Sequence, residues 1–328
     1  MRWIDMHCDT LSEVKKQNKN LRQNDLCVDV RRLLASGARA QFFACFVNAA
    51  ECGLGVRDIH GGSVWDTAYA EVLSMLRQAE NEQDEIFQIV GTAQDITDIL
   101  HTKGRDKLVA VLTVEEGGVL GGRMERLDEL YEKGVRLITL TWNYENCIGS
   151  PNSRDEAVMK KGLTAFGKEL VERMNEKGMI VDVSHLSDGG FWDCIRQSSA
   201  PIAASHSNAR ALCGHPRNLS DEMLRALGEK GGVAGVNFYS PFLCERGKAG
   251  VPDIVRHIRY MVNCAGEDAV GLGTDFDGFE KKDCPRGIRS VLDMEKIWDA
   301  LRKERFTWTQ IEKIAFRNVC RVTADIWK

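Results

Sequence analysis

The stretch GLTAFGKELVERMNEKG followed at once by MIVDVSHLSD (residues 162–188), and then PIAASHSNARAL (residues 201–212), decides the fold. The first part is amphipathic with helical period and ends in Lys177-Gly178, the ending expected where a helix hands over to a left-handed glycine cap. A short apolar, β-rich run, Met179–His185, begins immediately after it. The next such run is Pro201–His206, and its histidine lies 21 residues beyond His185 (206 minus 185), the length of one strand–helix–strand step.

Moving outward, the same alternation continues in both directions. Upstream lie Trp3–His7, Ala40–Val47, Leu108–Glu115 and Val135–Trp142; downstream lie Val233–Tyr239 and Ala269–Asp275. Between them run amphipathic segments such as VWDTAYAEVLSMLRQAENEQ from Val64, MERLDELYEKG from Met124 and SDEMLRALGEKGG from Ser220. Alternation of this kind predicts a parallel sheet with crossover helices. Eight strands predict closure into a single (β/α)8 TIM-like barrel, with a doubly wound open sheet as the alternative. A chain of 328 residues fits one such barrel. It has no low-complexity linker, charge block or fixed-period repeat, so residues 1–328 are expected to form one catalytic domain.

The formal net charge of −4 leaves no basic reservoir for a phosphate backbone, which excludes nucleic acid as the expected partner. The 11 cysteines are odd in number and scattered, with no CxxC pair, which argues against both a disulfide framework and a thiolate zinc site. No run reaches the roughly 18 apolar residues of a membrane span. MRWIDMHCDT has no signal-peptide core and VTADIWK no lipid-anchor tail, so the expectation is a cytoplasmic protein without membrane attachment.

In a barrel the C-terminal strand ends carry the active site, because the loops there let side chains converge. Of the seven histidines, His7, His185 and His206 fall at such ends. His60, His101, His215 and His257 read as surface or capping histidines in loops and helices. The first strand ends Asp5-Met-His7-Cys-Asp9, and residues two apart on an extended chain point the same way, so His7 and Asp9 can chelate one ion. Asp5 shares that parity and reads either as a ligand or as a supporting partner. The third strand ends in Glu115-Glu116-Gly117-Gly118; one acid has to turn inward to bridge two cations, and Glu115 is favoured because it continues the strand. His185 and His206, on neighbouring strands at equal height, suit a second ion through neutral imidazole. On the eighth strand, GLGTDFDG, Asp275 reads as the general base and Asp277-Gly278 as a turn. Oxygen and nitrogen donors without thiolate suit two Zn2+ ions, with manganese or cobalt as substitutes, and so predict metal-assisted hydrolysis.

Taken together and in order, DMHCDT, VEEGG, RLITLTWN, VDVSHLSD, SHSNAR, HPRNLSD, GVNFY and GLGTDFDG resemble the membrane (renal) dipeptidase family of metallopeptidases, over nearly the whole chain. The resemblance implies hydrolysis of L-L and L-D dipeptides by hydroxide held between two zinc ions. His7 and Asp9 would hold one ion, His185 and His206 the other, and Glu115 both, with Asp275 passing a proton to the departing amine. Arg217 would receive the dipeptide's free carboxylate, a role that a fork of donors suits, and Tyr239 would line the pocket. The family also inclines the expectation to a homodimer. One position departs: where mammalian members carry a histidine after Thr-Leu-Thr, this chain has Trp142, whose indole donates one hydrogen bond and carries no charge. The competing readings are another barrel amidohydrolase, acting on a lactone, cyclic amide or phosphoester, and a catalytically dead binding homologue.

Overall fold

A computed structural model describes residues 1–53, 62–101 and 107–328. Its nine parallel strands are β1 (Trp3–Cys8), β2 (Ala38–Phe46), β3 (Phe87–Ile89), β4 (Leu108–Glu115), β5 (Val135–Thr139), β6 (Ile180–Asp182), β7 (Ala203–Ala204), β8 (Val233–Val236) and β9 (Val270–Leu272). Eight pair in the order β1-β2-β4-β5-β6-β7-β8-β9. The ring closes where Asp275 N donates to His7 O (3.1 Å) and Asp9 N to Phe276 O (2.9 Å). The fold is therefore the (β/α)8 barrel that the alternation predicts, not the open sheet.

Two details differ from the reading of the sequence. The short β3 has no counterpart among the expected strands. It pairs with the first residues of β4, below Leu112 where β5 takes over that edge. The strands from β5 onward also stop before their expected ends, because the backbone leaves the ladder as it rises to the barrel mouth. His185 and Asp275 sit there with φ of 65° and 60°.

Local chemistry accounts for the helices. The helix Ala165–Lys177 starts with the Thr164 side chain accepting from Gly167 N and ends at Gly178, whose φ of 73° needs no Cβ penalty. It buries Leu170, Val171 and Met174, and burial of such side chains contributes roughly 1.5–3 kcal/mol each.

Apolar residues on the lower part of the strands (Ile4, Met6, Ala40, Phe42, Val109, Val111, Leu137, Ile180, Ala203, Val233) join one buried cluster. Val319, Val322 and Ile326 of the helix Asn318–Ile326, with Trp327 after it, pack into the same cluster. The strands run close together higher up: a Cβ on Gly273 would lie 1.8 Å from Ser205 O, and one on Gly235 2.0 Å from the same oxygen. No helix among the described residues is long and apolar enough to cross a membrane.

Candidate metal centre

Six side chains meet at the mouth of the barrel. His7 comes from β1, Asp9 from just past it, and Glu115 from the last position of β4. His185, His206 and Asp275 follow just after β6, β7 and β9. All but Asp275 are buried, and Asp275 keeps 14% of its side chain exposed.

Glu115 lies between two groups. Its Oε2 is 3.4 Å from His7 Nε2, which also stands 3.3 Å from Asp9 Oδ2 and 3.8 Å from Asp275 Oδ1. Its Oε1 is 3.1 Å from His185 Nε2 and 3.4 Å from His206 Nε2, and those two nitrogens are 3.1 Å apart. His7 with Glu115 and His206, and His7 with Asp9 and Asp275, each bring their donor atoms within 4.8 Å of one another.

The far sides of two rings fix where their protons sit. Asp182 accepts from Thr139 Oγ1, Ser184 N, Ser205 N and Ser205 Oγ. With its proton given to Asp182, Ser205 Oγ accepts from His206 Nδ1 at 2.7 Å. Asn143 Oδ1 accepts in the same way from His185 Nδ1 at 3.2 Å. Both Nε2 atoms therefore turn lone pairs, not protons, toward each other and toward Glu115. His7 differs: neither of its buried ring nitrogens has a hydrogen-bond partner, and Asp9 Oδ1 is also unpartnered.

The electrostatics follow this division. Burial lowers His185 to about 4, helped by the Arg217 charge, and takes His206 well below the ordinary histidine value. Burial would lower His7 too, but the Glu115 and Asp9 carboxylates outweigh it and raise His7 well above that value. Burial and the Glu115 charge lift Asp9, and burial lifts Asp275 to about 6. A concentration of buried oxygen and neutral nitrogen acceptors of this kind is the environment of a bound cation.

Asp5 does not join the cluster. It accepts from Thr274 N (2.8 Å), Thr274 Oγ1 (2.7 Å) and Gln41 Nε2 (3.0 Å), tying β1 to β2 and to the end of β9. Glu116 turns away as well, with φ of 86°. Asp277 accepts from Thr10 Oγ1 and Cys27 N, a loop-holding role that agrees with its reading as a turn residue. Gly278 lets the backbone run close to both carboxyl groups, since a Cβ there would lie 2.3 Å from Asp9 Oδ2 and 2.5 Å from Asp275 Oδ1 and one of them would have to move.

A cavity of about 300 Å³ opens over these groups, lined by Phe46, Trp142, Asn143, Tyr239, Phe242 and Phe279 together with Asp9, Glu115, His185 and Asp275. Tyr239 packs against Phe242 and Phe279, with ring centroids 4.8 and 5.1 Å away. Arg217 is buried beside the histidine pair, where Nη1 donates to Ser207 Oγ (2.7 Å) and Nη2 to His206 O (2.9 Å), while Nε has no partner. Sequence reasoning missed Asp182, Ser205, Asn143 and Asn237, the last of which donates to Asp275 Oδ2 at 2.8 Å. Asn237 stands in the quoted GVNFY, and Asp182 and Ser205 sit inside the two histidine motifs, so strand neighbourhood was the available signal. Of the remaining histidines, His60 lies outside the described residues.

The model of the membrane dipeptidase family matches residues 1–327. The chain belongs to the membrane dipeptidase family. Membership makes it a metal-dependent dipeptidase. Among similar proteins, an uncharacterized protein from the pqqA 5′ region of Klebsiella pneumoniae is 38% identical over 68% of this chain and 84% of its own length. Dipeptidase tcpJ of Claviceps purpurea is 30% identical over 91% of this chain and 69% of its own. The crystal structure of dipeptidase AC, a metallopeptidase, superposes with a TM-score of 0.89 at 25% identity, covering 100% of this chain and 99% of the other. A metallopeptidase from Rhodobacter sphaeroides, solved with a phosphinate mimic of the dipeptide L-Ala-D-Ala, has the same fold, with a TM-score of 0.85 at 24% identity over 100% and 99% of the two chains.

Proposed function

We propose that residues 1–328 form one catalytic domain that binds two Zn2+ ions and hydrolyses L-L and L-D dipeptides. His7 and Asp9 hold one ion, His185 and His206 the other, and Glu115 bridges them. The observation that carries this reading is the placement of Glu115, with one oxygen facing His7 and the other facing two histidine nitrogens that bear no proton. Three acceptors meeting without a donor repel one another unless a cation lies between them. The unpartnered nitrogens of His7 and the all-N/O donor set fit zinc.

Held by these residues, such ions would lower the pKa of an attacking water and stabilise the negative charge that develops on the peptide oxygen. The protein's own groups do the rest. Asp275, held by Asn237 and facing the cavity, takes the proton released in the attack and returns it to the departing amine. Arg217 supplies positive charge next to His206 for the substrate's free carboxylate, while Tyr239 and its aromatic neighbours form one wall of the cavity. A cavity of about 300 Å³ over the cluster suits a dipeptide rather than a longer chain.

The test is metal analysis and a hydrolysis panel on the zinc-loaded protein: L-L and L-D dipeptides, a tripeptide and a lactone. About two zinc ions per chain with cleavage confined to dipeptides is the expected result. Two ions with lactone turnover alone would overturn the substrate assignment. Glu115→Gln should lose both ions together, and a variant that kept both would remove Glu115 from the bridge. The proposal includes a homodimer, checked by light scattering, and cytoplasmic residence, checked by cell fractionation.

A further inference from the structure

Glu116 follows the proposed bridging residue, yet its side chain takes no part in the cluster around His7. It is fully buried, and its φ of 86° and ψ of 76° place a non-glycine residue in the left-handed region. Such a conformation is strained and persists only where surrounding contacts determine it. Here those contacts belong to the side chain. Oε1 accepts from Gly118 N at 2.9 Å and from Asn146 Nδ2 at 2.6 Å, and Oε2 accepts from Trp142 N at 3.3 Å.

Two of these donors lie in the segment that follows β5. Asn146 is the hub of that segment: Nδ2 also donates to Leu140 O, and Oδ1 accepts from Ile148 N and Gly149 N. Trp142 and Asn143 stand at its cavity side. The Trp142 ring packs edge-on against Phe46 with centroids 4.8 Å apart, and Asn143 Oδ1 fixes the His185 ring. The carboxylate of Glu116 thus grips the segment at both its hub and its tip, from a strand end that also carries Glu115.

We propose that Glu116 is a positioning residue that sets the substrate-facing wall formed by Trp142 and Asn143, so that it governs which dipeptide side chains the site accepts. This rests on the dipeptidase reading above. Glutamine cannot replace it, since an amide oxygen could still serve Gly118 and Asn146, but the amide NH2 would then face Trp142 N–H, donor against donor.

Glu116→Gln in the full, zinc-loaded chain gives two independent readouts. Hydrogen–deuterium exchange should accelerate in a peptide covering residues 140–149 and stay unchanged in one covering 108–115. KM for a bulky dipeptide, Leu-Leu, should rise about tenfold while kcat changes by less than about threefold and Gly-Gly is little affected. Should Glu116→Gln fail to fold, Glu116→Gly is the second variant. It relieves the left-handed strain while removing the carboxylate, and the same acceleration over 140–149 is expected. Unchanged exchange in that segment overturns the proposal. So does an equal loss of kcat on both dipeptides with loss of bound zinc, which would make Glu116 part of the metal centre. If the parent protein cleaves no dipeptide, the functional reading fails, and exchange alone decides the role of Glu116.

Discussion

The two sides of Glu115 are built on different plans. On one side, His185 and His206 are each held at the far nitrogen, by Asn143 and by Ser205 with Asp182 behind it, so their orientation and protonation are set before any ion arrives. On the other side, His7 lies among Asp9, Glu115 and Asp275 with no hydrogen-bond partner at either ring nitrogen. The histidine side is preorganised by hydrogen bonds, whereas the other side gathers three carboxyl groups around an imidazole that has no such partner. The same kind of side chain is therefore pushed in opposite directions: burial lowers His185 and His206, while neighbouring carboxylates raise His7.

Variants on the carboxylate side should give the largest effects. Asp275→Asn should lower kcat about 10³-fold with both ions retained, because it removes a proton carrier without removing a ligand. Full turnover in that variant would take Asp275 out of the mechanism. Gly278→Ala pushes a Cβ against Asp9 and Asp275 at once. It should cost about 10²-fold in activity while leaving the melting transition within a few degrees, and near-normal kinetics would show that this side is more pliant than its contacts suggest.

The histidine side should respond differently. Asp182→Asn can turn an amide donor toward Ser205, which then no longer accepts cleanly from His206. Affinity for one of the two ions should fall about 10- to 100-fold, the usual cost of losing such a partner, with the other ion little affected. Equal weakening of both ions by calorimetry would erase the distinction between the sides.

His257 serves as a control, a buried histidine content without metal. Its Nδ1 accepts from Ala209 N and its Nε2 donates to Leu243 O. Burial lowers it to about 4. Since the unfolded chain takes up this proton near pH 6.5 and the folded protein only near 4, stability falls as pH drops through that window and is fully present above it. The loss is about 3 kcal/mol at most. In His257→Gln, which can keep both hydrogen bonds, denaturant titrations at pH 7 and pH 4.5 should show a smaller difference than in the parent protein.

Most of the barrel is legible in the sequence because most strands are short, largely apolar, β-rich runs that alternate with amphipathic helical segments, as in LVAVLTVEEGG. The short β3 is not, since three residues of FQI carry too little pattern to separate a strand from a loop. The six residues at the mouth are visible as acids and histidines at strand ends. Their partners are hidden for a physical reason: Ser205 and Asp182 matter only through the register that sets β6 beside β7. Glu115 faces the cluster as the last residue of its strand, whereas the left-handed backbone that turns Glu116 away from it has no signal in the sequence. Phe242, on the short helix Ser240–Leu243, and Phe279, in the loop after Asp275, likewise reach the cavity through geometry that no periodicity encodes.

The helix that fills the base of the barrel has a consequence for how the protein is made. Val319, Val322, Ile326 and Trp327 pack with apolar side chains contributed by the strands, Ile4 of β1 the first of them. A ribosome releases those strands long before their cover, and β1 cannot close against residues 275–276 until those residues have been made. The nascent barrel therefore spends most of its synthesis as an open, apolar trough with unpaired edges, the kind of intermediate that attracts chaperones or aggregates. Removing the helix Asn318–Ile326 together with Trp327 should accordingly harm solubility in cells without touching any residue of the metal centre.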